Sequence, residues 1–407
     1  MPLNICLLKL KIKYYLSSPY IYVVATIFLI TVPYLYPQHF FIYKKAFTIN
    51  EHLIFSFMFI ILILAGFCIS SLPKLKLKKI YIEHRKDFCF NKNILTISLL
   101  MVILSLLVNL LIVINGFTYL NNGNVLTAKN SLDDFGGVNI LSQFYMFFLP
   151  ILQYWSLSKK KYYVNVLLIF LGIILFIRSA LLAERLAFIE YIIPIIVIYS
   201  YHYKMKLGII KVIKYFLYFL LFFIALELTR QFYVQFFLES DKDVDFLFAI
   251  TWALERFFAY YADTQNKLYF VIENQFSFST YHFLYPVERV LMRVFSINMI
   301  SPQFDYNEFN WKDFTNPGGI SMLYTDFGYF FILCIIIIFS LFFILWKKIN
   351  SGSIIALAIY PHFVVGILEI PRFIYFYLTR FAYPFVFFIS IYFALVYFQY
   401  KLQKLKN

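Results

Sequence analysis

Ten long runs of apolar residues, separated by polar breaks, run through this chain of 407 residues. The hydrocarbon core of a bilayer is about 30 Å thick, so a helix needs about 20 mostly apolar residues to cross it. Because lipid offers the backbone no hydrogen-bond partner, we expect each run to form a membrane-spanning helix. The predicted spans are 20–36, 53–72, 94–114, 140–157, 162–177, 186–203, 209–228, 322–346, 354–370 and 381–400.

The composition supports this interpretation and excludes a soluble protein. Apolar residues make up 62% of the chain and charged residues only 14%, whereas soluble domains have about 45–50% and about 25%. We therefore predict an all-α polytopic membrane protein that forms one integral membrane unit. Residues 1–228 carry the first seven helices, 229–319 form a long periplasmic loop with short amphipathic helices, and 320–407 carry the last three helices.

Lysine is concentrated in every second connection between the spans, whereas the first two outer loops carry fewer lysines (Lys44, Lys45 and Lys129), and this difference predicts the orientation. Short cytoplasmic loops retain Lys and Arg, so the lysine-rich segments are placed in the cytoplasm, together with both termini. The formal net charge of +15 is explained by this topology signal and by anionic lipid headgroups, so nucleic acid is not an expected partner. The lysine-rich segments are 9–13, 74–92, 159–161, 204–214, 347–348 and 401–406.

Arginine shows the opposite distribution. Of nine arginines, only Arg85 falls on the predicted cytoplasmic side. A topology signal needs only positive charge, whereas the planar guanidinium fork binds phosphate bidentately, so the external arginines suggest phosphate recognition. The alternative is that they pair with external carboxylates or anchor at lipid headgroups. The eight external arginines are Arg178, Arg185, Arg230, Arg256, Arg289, Arg293, Arg372 and Arg380.

The first arginine cluster is the connection "RSALLAER" between the fifth and sixth predicted spans. It places Arg178, Glu184 and Arg185 at the external membrane boundary, with Glu190 inside the helix that follows. The alternative interpretation is a snorkelling anchor that contains an ion pair between Arg185 and Glu190.

The second cluster is the segment "EIPRFIYFYLTR", in which Pro371 breaks the chain at the end of the ninth predicted span. The break presents Glu369, Arg372 and Arg380 near one level of the membrane. Here the alternative is that neighbouring tyrosines anchor the chain in an interfacial aromatic belt. Those tyrosines are Tyr375 and Tyr377.

The third cluster lies in the long loop, where an acidic run precedes a predicted helix over 246–262 and a second helix is predicted after Pro286. In the second helix, Val287 and Val290 belong to an apolar stripe, and Glu288, Arg289 and Arg293 are predicted on the opposite side. Arg289 and Arg293 are four residues apart, so an anion such as a diphosphate would relieve their repulsion. The alternative is an interfacial helix whose arginines contact lipid phosphate.

Candidate catalytic groups are few. Glu184, Asp326 and His282 are the external or near-external residues that could serve as the base for an attacking hydroxyl, and the sequence does not rank them. His362 is the deepest ionisable residue and is expected to be a packed, hydrogen-bonded core residue. The sequence has no Cys/His cluster with zinc spacing and no phosphate-binding glycine loop, so neither a metal nor a cofactor is expected, and the four cysteines predict no disulfide.

The span order, the late long loop, the "RSALLAER" connection and the segment "NPGGISMLYTDFGYFF" resemble the bacterial O-antigen polymerases. This resemblance implies a periplasmic-face glycosyltransferase of the inner membrane that joins repeat units carried on undecaprenyl diphosphate. It also implies that four arginines are the leading candidates for diphosphate contacts, namely Arg178, Arg185, Arg289 and Arg293. The other four external arginines are candidates of second rank. Undecaprenyl diphosphate-linked oligosaccharides, membrane lipids and possibly a chain-length regulator are the implied partners.

Two other functions are compatible with a basic, aromatic membrane chain. An O-antigen ligase resembles this architecture, but the only histidine in the long loop, His282, lies in "STYHFLYP", which does not match the ligase pattern. A lipid-linked oligosaccharide flippase would need cations in a central cavity between two halves. The span pattern shows no internal repeat, and the long loop has no obvious use in alternating access, so polymerase is the favoured function.

Overall fold

The computed structural model describes most of the predicted spans and part of the long loop. The described residues are 14–15, 17–31, 49–71, 88, 90–121, 138–181, 185–207, 281–295 and 318–406, with further residues at 214, 218, 221, 224–225, 228, 250–251, 254, 261, 267–268 and 271–273. Nearly all of them are helical. Within these ranges, β structure is limited to a two-residue antiparallel pair between Tyr14–Tyr15 (β1) and Lys206–Leu207 (β2).

The helices follow the apolar runs in chain order. They are α1 Pro19–Thr31, α2 Ile49–Ser71, α3 Lys92–Asn121, α4 Val138–Leu141, α5 Tyr145–Lys159, α6 Tyr162–Leu181, α7 Arg185–His202, α8 Tyr281–Phe295, α9 Gly319–Phe327, α10 Phe331–Asn350, α11 Ile354–Glu369 and α12 Thr379–Lys406. Short 3₁₀ helices occupy Gly328–Phe330 and Tyr375–Tyr377.

The prediction of an all-α polytopic membrane protein is confirmed. Among the described residues, five helical stretches are long and apolar enough to cross a bilayer, and they lie in α2, α3, α6, the α9–α10 pair and α12. Three shorter apolar helices correspond to α1, α7 and α11. The predicted span 209–228 lies mostly outside the described residues, as does much of the predicted loop 229–319, so the division of the chain into 1–228, 229–319 and 320–407 stays a prediction.

Two predicted spans contain an interruption, and the predicted start of one helix is wrong. The spans 140–157 and 322–346 are each interrupted, the first by a turn at 142–144 and the second by the 3₁₀ helix that begins at Gly328. Gly328 has φ 53°, a left-handed conformation that favours glycine. Helix α8 begins at Tyr281, so Pro286 lies inside the helix and does not precede it.

Helices α5 and α11 form the centre of the bundle. Every residue from Tyr145 to Leu152 is buried, and so is almost all of α11. The surrounding helices α3, α6 and α12 instead expose apolar side chains such as Val386 and Phe393, each 60% exposed, as expected of surfaces that face lipid. Polar side chains on α5 and α11 are therefore surrounded by protein. The same holds for side chains of neighbouring helices that point toward α5 and α11.

Candidate functional site

The bundle has two chemically different ends, because consecutive helices run in opposite directions through short turns such as 160–161 and 351–353. We call the end that contains Arg178, Arg372 and Arg380 the arginine end. The opposite end is the lysine end, and its exposed lysines are Lys92, Lys159, Lys160, Lys161, Lys204 and Lys348.

Arg178, in the last turn of α6, is buried in a cradle of neutral oxygens. One guanidinium nitrogen, Nη1, donates to Asn109 Oδ1 at 2.7 Å and to Ser142 Oγ at 2.8 Å. The other, Nη2, donates to Asn139 Oδ1 at 3.2 Å. The turn that interrupts the predicted fourth span supplies Ser142, and the short helix α4 directly before it supplies Asn139. These contacts fix the orientation of the fork.

Glu190 lies in α7 and is fully buried. Its partners are Arg380, at the start of α12, and Tyr375, in the 3₁₀ helix that precedes α12. Nε and Nη2 of Arg380 lie 3.1 and 2.7 Å from its Oε2 atom, and the Tyr375 hydroxyl donates to Oε1 at 2.9 Å. Burial, with the nearby Glu190 charge, raises the pKa of the Tyr375 phenol well above its usual value, so this hydroxyl stays a donor. Glu190 is therefore paired with Arg380, and the side chain of Arg185 lies outside the described residues.

The two clusters meet at Tyr145, the first residue of α5. Its buried hydroxyl donates to the Ala187 carbonyl at 3.3 Å. The side chains of Glu190, Arg380 and Arg178 all lie near this hydroxyl, so the three groups share one region of the protein. The structure thus brings together two arginines that are about 200 positions apart in the sequence.

The glycine pair Gly318 and Gly319 joins α9 to the segment after α11. The Gly318 amide donates to the Arg372 carbonyl at 2.9 Å. A Cβ atom on Gly319 would overlap the Ile370 carbonyl oxygen and would lie 2.9 Å from the Phe373 carbonyl carbon. Only glycine permits this approach of two backbones, which explains the "PGG" of the sequence.

Arg372 and the tyrosines near it have mainly internal contacts. Arg372 Nη1 forms an ion pair with Glu369 Oε2 at 2.8 Å, and its guanidinium lies 5.3 Å from the centre of the Phe373 ring. Tyr375 is fully buried, so anchoring in an interfacial aromatic belt is the wrong interpretation for this residue. Tyr377 packs its ring edge-on against Phe283, with 5.6 Å between ring centres.

The loop helix α8 is fastened to the membrane helices near its amino-terminal end. The buried Asp326 carboxylate accepts a hydrogen bond from the Phe283 amide at 2.7 Å, so it caps the positive end of α8. The Tyr383 hydroxyl of α12 donates to the Pro286 carbonyl at 2.7 Å. Asp326, one of the three candidate bases, therefore already serves as a helix cap.

The two faces of α8 differ from the sequence prediction. The sequence grouped Glu288 with Arg289, but Glu288 is only 7% exposed, whereas Arg289 is exposed. The residues Phe283, Val287 and Val290 point outward, with 51%, 53% and 41% of their surface exposed. An acid that faces inward and an apolar stripe that faces outward are expected when the surroundings of a helix are apolar and its interior side is polar.

Arg289 has a neutral aromatic partner. Its Nε donates to the Tyr285 hydroxyl at 2.7 Å, and the guanidinium carbon lies 5.1 Å from the centre of the Tyr285 ring. Within the described part of the chain, no carboxylate contacts this guanidinium. Arg289 is thus an exposed cation, stacked on a tyrosine, beside an outward apolar stripe.

Not all predicted site residues can be placed. Glu184, Arg230 and Arg256 lie outside the described residues, and so do the side chains of Arg185, His282 and Arg293. His282 and Arg293 belong to α8, so the backbone of His282 directly precedes the Phe283 amide that Asp326 caps. Whether Arg289 and Arg293 flank a common anion stays a prediction.

Sequence reasoning missed the neutral partners of the cluster, which are Asn109, Asn139, Ser142 and Tyr375. Asn109 had a usable signal, because an amide inside a long apolar run needs a polar partner when it is buried. His362 is fully buried, with Nε2 2.7 Å from the Met146 carbonyl oxygen, as expected of a packed core residue. In the part of the chain that the structure describes, no group of His, Cys, Asp and Glu could hold a metal ion.

Comparison of the chain with protein-family models, with curated proteins and with solved structures finds no match. The similarity to O-antigen polymerases therefore depends on the order of the spans and on the segments quoted above.

Proposed function

We propose that this chain is a glycosyltransferase that polymerises oligosaccharide repeat units carried on undecaprenyl diphosphate. The observation that carries the proposal is Arg289, an exposed guanidinium without a carboxylate partner in the described residues, placed beside an outward apolar stripe on α8. A lipid whose tail lies in the bilayer and whose head is a diphosphate fits this combination of an apolar surface and a planar cation.

The buried arginines supply a second reason. Ionisable groups inside the membrane are costly, so they usually mark a functional site. Three of the contacts that hold Arg178 are with neutral amide and hydroxyl oxygens, and a neutral oxygen competes less strongly for a guanidinium than a carboxylate would. A diphosphate oxygen that reaches Arg178 can therefore replace some of these contacts. Arg380, by contrast, is paired with Glu190 and serves to hold the site together.

The proposed reaction needs no energy source such as ATP, because the donor glycan carries its own leaving group, the lipid diphosphate. The bond between the anomeric carbon of the growing glycan and the lipid diphosphate breaks, and a hydroxyl of the incoming lipid-linked repeat unit forms the new glycosidic bond. Positive groups placed in advance near the departing diphosphate stabilise the charge that develops on it. Mutational loss of one such group in other enzymes costs about 10²–10³-fold in rate.

The cellular setting follows from the same proposal. The arginine end faces the periplasm of a bacterium, the lysine end and both termini face the cytoplasm, and the protein resides in the inner membrane. A chain-length regulator is a possible protein partner in this setting. Lipid-linked oligosaccharides are the substrates.

The test is the length distribution of the product. Membranes that contain the chain and lipid-linked single repeats should give a ladder of polymers, and membranes with R289K should give little ladder. The matched control is K348R, which changes an exposed cation at the lysine end. Transport without bond formation, or transfer of single units to a lipid core only, would contradict the proposal in favour of a flippase or a ligase.

A further inference from the structure

The outward face of the loop helix α8 is apolar over two turns. Phe283, Val287 and Val290 are separated by four and three residues, so their side chains lie on one stripe of the helix. Each of the three is 41–53% exposed, and Met292, at the edge of the stripe, is 43% exposed. A continuous apolar surface of this kind marks a contact with lipid or with another protein.

A contact with α12 fixes the level of α8 relative to the membrane spans. The Tyr383 hydroxyl donates to the Pro286 carbonyl at 2.7 Å, and Tyr383 lies in the second turn of the apolar span Thr379–Phe398. Val386, three residues further along α12, is 60% exposed on the outside of the bundle. Three residues correspond to about 4.5 Å along a helix axis. Helix α8 is therefore attached at the height where α12 enters apolar surroundings.

The interrupted span of α9 and α10 indicates the same level. The Phe283 ring packs against Phe327 of α9, with 5.7 Å between ring centres. The 3₁₀ helix directly after Phe327 exposes two aromatic side chains, Tyr329 at 74% and Phe330 at 64%. An exposed tyrosine at the end of a span is typical of the layer between lipid tails and water. The outward stripe of α8 thus lies beside aromatic side chains suited to that layer.

The polar groups of α8 suit the same layer. Arg289 is exposed beside the stripe, and its guanidinium stacks on the Tyr285 ring. Side chains with an apolar body and a polar tip take this arrangement at a membrane surface. Glu288, by contrast, is only 7% exposed. A helix in water turns its acids outward and its valines inward, and α8 does the reverse.

We propose that the outward face of α8 lies on the bilayer at the arginine end, at the level of the lipid headgroups. The partner of this face is phospholipid: the apolar stripe contacts the upper part of the acyl chains, and Arg289 lies at the depth of the lipid phosphates. This inference goes beyond the proposed reaction and does not depend on it, because the bilayer supplies phosphate at that depth whether or not a lipid-linked diphosphate also binds.

The test measures the depth of a spin label on α8 in nanodiscs of phosphatidylethanolamine and phosphatidylglycerol. The label is attached to Val287→Cys, and separately to Val290→Cys, in the full chain with its four cysteines replaced by serine. Collisions with oxygen, which dissolves in lipid, are compared with collisions with a nickel chelate, which stays in water. We expect both labels to lie within about 10 Å of the lipid phosphates.

Two further positions calibrate the measurement. Lys161→Cys changes an exposed residue in the turn between α5 and α6, at the lysine end, and should report water. Leu107→Cys changes a residue that is 53% exposed near the middle of α3, and should report the bilayer centre, about 15 Å from the boundary of the hydrocarbon core. Exposed positions such as these usually tolerate substitution.

Three results would overturn the proposal, each in a different way. If the labels on α8 meet the chelate as often as the label at 161, the face lies in water. If they are shielded from both oxygen and chelate, protein covers the face. If they lie as deep as the label at 107, α8 is inside the hydrocarbon core. Should one of the two α8 variants fail to fold, the other decides. None of these results changes the ladder assay, so the proposed function is tested separately.

Discussion

The two ends of the bundle use cations in opposite ways. At the lysine end, the amines of Lys159, Lys160 and Lys161 extend into the exposed surface. At the arginine end, Arg178 is buried among amides and hydroxyls, and Arg380 is locked onto a fully buried Glu190. A topology signal needs only charge near a surface, whereas a guanidinium held inside protein has a defined direction. This difference is the one expected if the arginine end recognises a ligand, as proposed above.

The two ends are also joined by different interactions. At the lysine end, two tyrosine hydroxyls join distant segments, Tyr201 to the Ile349 carbonyl at 3.1 Å and Tyr360 to the Ser17 carbonyl at 2.8 Å. The Lys347 amine donates to the carbonyl and the hydroxyl of Ser70. At the arginine end, the helices are joined by the ion pair between Arg380 and Glu190 and by the hydrogen bond of the Tyr383 hydroxyl. Charged pairs that are buried are costly when one partner is lost, because the other stays uncompensated. The arginine end should therefore be the more sensitive of the two to substitution.

The largest effect on stability is expected for Arg380→Met. Removing the guanidinium leaves the Glu190 carboxylate buried, which should lower the free energy of unfolding by about 3–5 kcal/mol. The measurement is unfolding of the detergent-solubilised protein. The control K348M at the lysine end should change stability by about 0.5 kcal/mol or less. The double variant E190Q/R380M should recover part of the lost stability, because it no longer buries an unpaired carboxylate. If R380M and K348M were equally stable, the two ends would not differ in their sensitivity to the loss of a cation.

The next effect is expected for Gly319→Ala. The added Cβ overlaps the Ile370 carbonyl oxygen, so the two backbones have to separate. We expect the free energy of unfolding of the detergent-solubilised protein to fall by about 2–3 kcal/mol, which is the range found for overpacked cores. Gly352→Ala at the lysine end is the matched control, since its φ of 82° is unfavourable for alanine and costs about 1–2 kcal/mol. A smaller loss for Gly319→Ala than for Gly352→Ala would show that the α9 contact can relax.

A smaller loss of stability is expected for Arg178→Lys. Lysine keeps the charge but cannot reach the three oxygens that the planar fork binds from two nitrogens. One or two buried acceptors then lose their donor, which should lower the free energy of unfolding by about 1–3 kcal/mol. Lys160→Arg, the reverse exchange at the lysine end, should be neutral within about 0.5 kcal/mol. Equal tolerance at the two positions in unfolding experiments would contradict a cradle specific for guanidinium.

The smallest effect is expected for Tyr383→Phe, which removes one hydrogen bond to the Pro286 carbonyl. The global loss should be about 0.5–1.5 kcal/mol, similar to that of Tyr360→Phe at the lysine end. The two variants should differ in where they loosen the protein. Hydrogen exchange should rise in α8 for Tyr383→Phe and should stay unchanged there for Tyr360→Phe. Equal exchange in α8 for both would mean that this hydrogen bond does not hold the loop helix.

The sequence allowed the fold class and most helix positions to be predicted, because each depends on local apolar length. It could not show the break at 142–144, since Ser142 in this turn contacts Asn109 and Arg178, which are far away in the chain. The pairing of Glu190 with Arg380 was equally hidden, because residues 190 positions apart leave no local pattern. Glu288 was assigned to the wrong face, since the apolar stripe of α8 was expected to face inward, whereas Val287 and Val290 are exposed and Glu288 is buried.

The central claim is that a guanidinium at the arginine end recognises the diphosphate of a lipid-linked glycan. The most direct measurement is the affinity of the purified protein for undecaprenyl diphosphate, compared between wild type, R289K and K348R. We predict that R289K binds at least about tenfold more weakly, because lysine lacks the bidentate fork, and that K348R binds like wild type. Equal affinities in all three proteins would contradict the account.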